Sequence, residues 1–273
     1  MKTWLYENYV VITGASGGIG RQLCKIFVQK YKAKVVGVAR NEEKLRSLQE
    51  ELGESFSYCV FDVSVRENWN ILKTYLVGNN VSPVLFVNNA GEFPPFCYAL
   101  DLPVETYERV MQTNYFSCVY GVDTVAPLMK KAGKKLPFIA NVSSSAGLCP
   151  VVGTTAYSAS KFAVRGYTEA LGLDLKGKIK VGVICPGTTA TDLFKKDEQT
   201  EGSALYMIAM STEKMSKKIA RRLRFRKRRS AVGWDSKIMG FLARLMPVKG
   251  PFAVRKVMKI SKSKVFKNVF KEE

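Results

Sequence analysis

The chain has 273 residues and 47% hydrophobic content, which suits one α/β domain with a sizeable core. It carries 43 Lys and Arg against 23 Asp and Glu, a net charge of +20, and no histidine. The missing histidine excludes a Ser-His-Asp triad and argues against a zinc site, and no apolar run approaches the ~20 residues of a membrane span.

The first expected strand is Tyr9-Val10-Val11-Ile12, which starts too early to leave room for a signal peptide ahead of it. The turn Thr13-Gly14-Ala15-Ser16-Gly17-Gly18-Ile19-Gly20 follows, and Arg21 to Tyr31 shows helical spacing at Leu23, Ile26 and Phe27. Strand, glycine turn and helix form the context of a dinucleotide fingerprint, here spaced G-x-x-x-G-x-G. Glycines permit a tight turn and let a pyrophosphate approach the helix N-terminus, whose N–H groups and dipole favour negative charge. Gly14, Ser16, Gly18, Ile19 and Gly20 are therefore candidate cofactor contacts.

Further apolar strands are expected at Lys34–Ala39, Phe56–Phe61, Val84–Val87, Phe138–Val142 and Ile179–Ile184, with helical stretches between them. That alternation predicts an α/β fold, a doubly wound parallel sheet of Rossmann type with helices on both faces. No acidic residue follows the second strand to meet a ribose 2′-hydroxyl. Arg40 stands there instead, and a guanidinium suits a 2′-phosphate, so NADP(H) is favoured and NAD(H) is the alternative. Glu42 and Glu43 come too late in register and open the next helix. The cysteines are Cys24, Cys59, Cys97, Cys118, Cys149 and Cys185, without a CxxC, and read as buried free thiols in a reducing compartment.

Tyr157-Ser158-Ala159-Ser160-Lys161 places a Tyr and a Lys one helical turn apart on one face. A fixed ammonium beside a phenol favours the phenolate, so Lys161 is expected to lower the Tyr157 pKa from about 10. Tyr157 then becomes a proton donor and acceptor for a carbonyl/alcohol pair. Ser144 lies thirteen residues upstream, at the end of the strand Phe138–Val142.

These motifs, with Asp62 after an apolar strand, Asn88-Asn89-Ala90-Gly91, Asn114 and Pro186-Gly187-Thr188-Thr189-Ala190-Thr191, stand in family order and spacing. Over about residues 9–195 the chain resembles the short-chain dehydrogenase/reductase family, of the NADP-preferring carbonyl reductase type. The resemblance implies hydride transfer between a nicotinamide ring and a carbonyl carbon, with Tyr157 as general acid in reduction. It implies that Lys161 bonds the nicotinamide ribose, Ser144 holds the substrate oxygen, and Asn114 supports a water-linked proton relay. By the same analogy Asp62 meets the adenine, Asn89 and Ala90 line the adenosine side, and Pro186, Gly187 and Thr191 flank the nicotinamide. It also implies a homo-oligomer paired through the helix carrying Tyr157 and Lys161.

The chain is expected to divide into a catalytic domain at 1–210 and a basic, apolar-striped extension at 211–273, with the substrate lid at about 188–217. The lid stretch Asp192–Lys217 contains Leu193, Phe194, Leu205, Tyr206, Met207, Ile208, Met210 and Met215, which suits either a bulky apolar substrate or ordinary core. Phe93-Pro94-Pro95-Phe96 offers an apolar wall. The segment from 211 carries 20 Lys and Arg against 4 Asp and Glu, a net of +16. Its densest block is Arg221–Arg229. Trp234, Ile238, Phe241, Leu242 and Leu245 follow on one helical stripe, and Phe252, Val257, Met258, Ile260, Val265 and Phe266 add apolar groups among lysines.

Three readings stand for this segment: an anionic membrane surface, packing on the core or another subunit, and nucleic acid. Nucleic acid is disfavoured, because no nucleic-acid fold signature accompanies the charge. The resulting expectation is a cytoplasmic, membrane-peripheral NADP(H) oxidoreductase acting on a small hydrophobic ketone or alcohol. The rival reading is a dinucleotide-binding sensor or scaffold that works through its basic tail.

Overall fold

Successive side chains of a strand point to opposite faces, and here both faces are covered. In the computed structural model, which describes residues 3–190, 209–261, 263 and 266–270, Val10 and Ile12 enter a core with Leu23, Phe27, Leu45 and Leu48. Val11 enters the opposite core, with Trp69, Leu72 and Leu76. The sheet is the expected doubly wound one. Its strands are β1 (Tyr9–Thr13), β2 (Lys34–Ala39), β3 (Phe56–Val60), β4 (Leu85–Asn88), β5 (Phe138–Val142), β6 (Lys180–Pro186) and β9 (Arg229–Val232). They lie in the order β3-β2-β1-β4-β5-β6-β9, all parallel. β7 (Thr189–Ala190) and β8 (Met210–Ser211) form a separate parallel pair.

The helices are α1 (Gly18–Lys25), α2 (Glu42–Leu52), α3 (Trp69–Gly78), α4 (Val104–Met111), α5 (Ser117–Val125), α6 (Thr155–Asp174), α7 (Thr212–Arg224), α8 (Trp234–Leu245) and α9 (Lys249–Ile260). Two expected helices change pitch. α1 continues as a π turn at Ile26–Lys30, and another, Gln112–Phe116, joins α4 to α5. Strand order reverses between β1 and β4, so their C-terminal ends diverge into a crevice flanked by Thr13-Gly14 and Asn88-Asn89-Ala90.

The seventh strand was not legible in the sequence. Arg229-Ser230-Ala231-Val232 is short, polar and embedded in the densest basic block, yet Ser230 and Val232 are buried against β6. The charge step at 211 is therefore not where the sheet ends. α7 also belongs to the sheet's first layer, because Met215, Ile219 and Leu223 share the core of Leu23 and Phe27. Met210 packs against that core. In the expected lid, these two methionines serve the core; residues 191–208, including Thr191, lie outside the described ones.

The basic block splits in the same way. Arg221, Arg222 and Arg224 occupy the last turn of α7, where cations complement the helix dipole. Arg224 lies over the Tyr31 ring, and Arg226 lies over Trp4 and donates to the Leu136 carbonyl at 3.0 Å. Arg229 pairs with Glu169 at 3.6 Å.

Helices α8 and α9 differ. Gly250 lies against the Leu242 carbonyl, joining the two as a hairpin, and the inner side of α8 meets Leu148 at Gly240. The outer side carries Trp234, Ile238, Phe241 and Leu245, all exposed, and α9 exposes Phe252, Val257 and Ile260. Leu242 of the expected stripe and Met258 among the lysines are half-buried, and Val265 lies outside the described residues. No described helix is long and apolar enough to cross a membrane.

Candidate functional site

The glycine turn is shaped by contacts that admit no side chain. Gly14 has φ +69°, and a Cβ there would lie 2.9 Å from Asn89 Nδ2. A Cβ at Gly20 would collide with the Gly14 carbonyl. α1 has no side-chain cap and no acidic residue in its first turn, so its N–H groups and dipole face the crevice without a competing carboxylate. These features fit a pyrophosphate. Ser16, Gly18 and Ile19 are half-buried around this turn.

A clamp that sequence reasoning missed holds the opposite side of the crevice. Thr13 Oγ1 accepts from the N–H groups of Asn89 and Ala90, both at 3.0 Å, and Asn89 Nδ2 donates to the Thr13 carbonyl at 3.0 Å. Beneath it, Asn88 Nδ2 donates to Asn141 Oδ1 at 2.8 Å and Asn141 Nδ2 to Thr168 Oγ1 at 3.0 Å. The available signal was polar residues ending or interrupting strands that are otherwise apolar.

Arg40 and Asp62, expected as separate contacts, come together. Arg40 ends up exposed past β2, with Nη1 3.5 Å from Asp62 Oδ2. Burial alone would raise the Asp62 carboxyl, but hydrogen bonds from the Ser64 hydroxyl and N–H, with the Arg40 guanidinium, hold it below its ordinary value. The exposed pair itself adds little stability.

Tyr157 and Lys161 lie in α6, and Ser144 caps the turn Ser145–Gly147 after β5. Ser144 Oγ accepts from Ala146 N–H at 3.2 Å and acts on the nearby Tyr157 phenol. Lys161 is buried, its Nζ 5.6 Å from the Tyr157 ring centroid and donating to the Val142 carbonyl at 3.2 Å.

The expected downward shift of the phenol is not found. Tyr157 is pushed up to about 12, chiefly by burial, with the Ser144 hydroxyl pulling it down and Cys185 adding a smaller upward push. Burial also lowers the Lys161 ammonium. Phe93 lies edge-on to the Tyr157 ring at 4.7 Å, so desolvation outweighs the nearby charge.

Asn114 is fully buried in the π turn, a distortion frequent at functional sites. Its Oδ1 accepts from Glu92 N–H at 2.7 Å, and its Nδ2 donates to the Glu92 carbonyl and Ser160 Oγ at 3.0 Å. A Cβ at Gly91 would stand 2.9 Å from Asn114 Oδ1 and 3.2 Å from Lys161 Nζ, so both groups flank that glycine.

Pro186 ends β6. A side chain at Gly187 would collide with the Asp235 carboxylate, which accepts from Thr188 N–H. Asp235, in the first turn of α8, is a second residue that sequence reasoning missed; Gly233 just before the helix was its signal.

An α/β protein with a bare glycine turn at the switch point and a Ser-Tyr-Lys cluster beside it belongs to the nicotinamide dinucleotide-binding class. A family profile described as short chain dehydrogenase matches residues 8–202. A 3-ketodihydrosphingosine reductase of Bos taurus is 34% identical over 75% of this chain and 63% of its own length. An NADPH-dependent pterin aldehyde reductase of Arabidopsis thaliana is 31% identical over 68% of this chain and 76% of its own. The solved closed form of a serine dehydrogenase complexed with NADP+ superposes with a TM-score of 0.69 and 29% identity, covering 77% of this chain and 87% of that one. The chain spans less than two thirds of the bovine protein's length. It belongs to the short-chain dehydrogenase family.

Proposed function

We propose that this chain is an NADP(H)-dependent oxidoreductase that interconverts a ketone and a secondary alcohol, with an apolar, lipid-like substrate. The observation that carries this reading is the Tyr157 phenol, with the Ser144 hydroxyl acting on it and Lys161 Nζ 5.6 Å from its ring centroid. The bound nicotinamide would exchange a hydride with the carbonyl carbon. In reduction, Tyr157 Oη gives its proton to the substrate oxygen, and a phenol held neutral by burial is in the correct state to donate at neutral pH. Ser144 Oγ holds the same oxygen against the phenol. Lys161 bonds the nicotinamide ribose and offsets the charge left on Tyr157. Asn114 shapes the π turn behind Lys161 and supports the proton relay.

Gly14, Ser16, Gly18, Ile19 and Gly20 would receive the pyrophosphate, Asp62 the adenine, Asn89 and Ala90 the adenosine, and Pro186, Gly187 and Thr191 the nicotinamide. Arg40 would read the 2′-phosphate. Its exposed guanidinium and a relative named as NADPH-dependent support NADP(H) over NAD(H). The apolar wall at Phe93 and Phe96, together with the bovine relative's name, supports a lipid-like ketone.

The exposed apolar side of α8 and α9, interleaved with Lys237, Arg244, Lys256 and Lys259, supports contact with an anionic membrane surface within 221–273. Exposed Phe116, Phe162 and Leu173 on the Tyr157 helix and its neighbour support a homo-oligomer.

The test is oxidation of NADPH and NADH by the purified chain across ketones, from small aryl ketones to steroids and long-chain keto-lipids. Turnover of apolar ketones with a preference for NADPH is expected. Absence of turnover with every ketone would reject the reading.

A further inference from the structure

Residues 266–270 follow two helices with open apolar faces, yet Phe266 and Val269 are buried, at 2% and 6% exposure. Their seat is specific. Gly153 has φ +74°, and a Cβ there would stand 2.6 Å from Val269 Cγ2 and 3.4 Å from Phe96 Cδ1. Any side chain at 153 would therefore unseat the segment. Gly153 lies just ahead of the Tyr157 helix, and its carbonyl accepts from Cys97 N–H at 3.1 Å, tying the two loops that the segment covers.

A continuous series of edge-to-face rings runs outward from the phenol. Tyr157 meets Phe93 at 4.7 Å, Phe93 meets Phe96 at 5.2 Å, Phe96 meets Phe266 at 5.1 Å, and Phe266 meets Phe270 at 6.1 Å. Beside the Phe266–Phe270 segment lies a cavity of about 360 Å³, lined by Cys97, Val151, Val152, Val269 and Phe270, with Asp101, Thr155 and Arg255 as its polar groups. Phe266 thus stands between a ring on the Tyr157 side, Phe96, and a ring that lines this cavity, Phe270.

We propose that the C-terminal segment Phe266–Phe270 is the distal wall of the substrate site, and that the Phe266 ring sets the largest ketone substituent the site accepts. The inference rests on the proposed role of Tyr157. Removing the ring opens the cavity toward Phe96 and Phe93, the two rings that lead to Tyr157, giving room for a further aromatic ring or several methylenes. An apolar substituent would enter along the rings of Phe93 and Phe96, because most of the side chains lining the cavity are apolar as well.

The experiment compares full-length wild type with Phe266→Ala and Phe266→Leu on acetophenone and 4-benzylbenzophenone, with NADPH present for turnover and NADP+ for calorimetric binding. Phe266→Leu retains apolar bulk and serves if the alanine variant fails to fold. The expected result is a rise of about tenfold or more in the large-to-small ratio of kcat/KM and of binding constants, the range typical of one pocket group. NADP+ affinity is expected to stay unchanged, a readout that general loosening of the site would move. A size ratio within twofold of wild type in both variants overturns the inference. If wild type turns over no ketone, the reductase reading falls, and the binding ratio alone still decides the role of Phe266.

Discussion

Two tryptophans on the two sides of this molecule have opposite fates. Trp69, opening α3, is 2% exposed and packs against Phe61 and Phe86, whereas Trp234, opening α8, is 54% exposed. The first sits where the parallel sheet demands cover on both faces. The second sits on a hairpin whose inner side already meets the Leu148 turn, leaving its aromatic side outward. Burial in this chain therefore follows the sheet, and the hairpin keeps apolar surface that the fold has no use for. These exposed apolar side chains are the basis of the membrane contact proposed above.

The contrast is broken most severely at the phenol. Tyr157→Phe keeps the ring, its contact with Phe93 and the glycine turn, and removes only the proton donor. Turnover is expected to fall by about 10²–10⁴-fold, the span of a positioned acid–base group. NADPH binding, read by fluorescence, should stay close to wild type. Near-normal turnover would move the acid to another residue.

Cofactor choice comes next. Arg40→Asp exchanges a guanidinium for a carboxylate at the end of β2 and also places like charge beside Asp62. The ratio of kcat/KM for NADPH over NADH is expected to drop roughly tenfold to a hundredfold, the value of one charge-assisted hydrogen bond. An unchanged ratio would detach Arg40 from the 2′-phosphate.

The hairpin side of the comparison is sharpened with vesicles. Sedimentation with anionic vesicles should decline with added salt, and Phe241→Glu should weaken it by about tenfold, since a charge replaces inserted hydrocarbon. Trp234 emission should shift to the blue on binding. Equal recovery with neutral vesicles would remove the electrostatic part, and binding unaffected by Phe241→Glu would move the contact off this helix.

How much of this was legible follows from the range of each interaction. The strands from Tyr9 to Ile184 could be read because each is a local apolar run. The glycine turn and the Tyr157–Lys161 pair were legible because a few neighbouring residues define them. What escaped depends on distant partners. Arg229–Val232 becomes a strand only because β6 offers an edge; nothing in its four residues calls for one. Thr13 needs Asn89, Gly187 needs Asp235, and Phe266 needs Gly153, each across a long stretch of chain. The Tyr157 pKa was misjudged for the same reason. Lys161 is near in sequence, while the desolvation that wins comes from Phe93 and the packed site.

That misjudgement gives the smallest effect and a clean test. The ordinary phenol ionises near 10, and in the folded chain Tyr157 is pushed up to about 12. Below pH 10 it is neutral both folded and unfolded, so the stability linked to its neutral state is fully present. Between 10 and 12 the unfolded chain ionises first, and that stability is lost as pH rises through the folded value. Wild type should therefore lose about 1 kcal/mol more than Tyr157→Phe between pH 9 and pH 11 in denaturant titrations. The rate of ketone reduction should stay level through neutral pH, because the donor remains protonated. If instead both proteins lose stability in parallel and reduction falls away near pH 7, Lys161 controls the phenol more strongly than burial does. The original expectation from the four-residue spacing would then be restored.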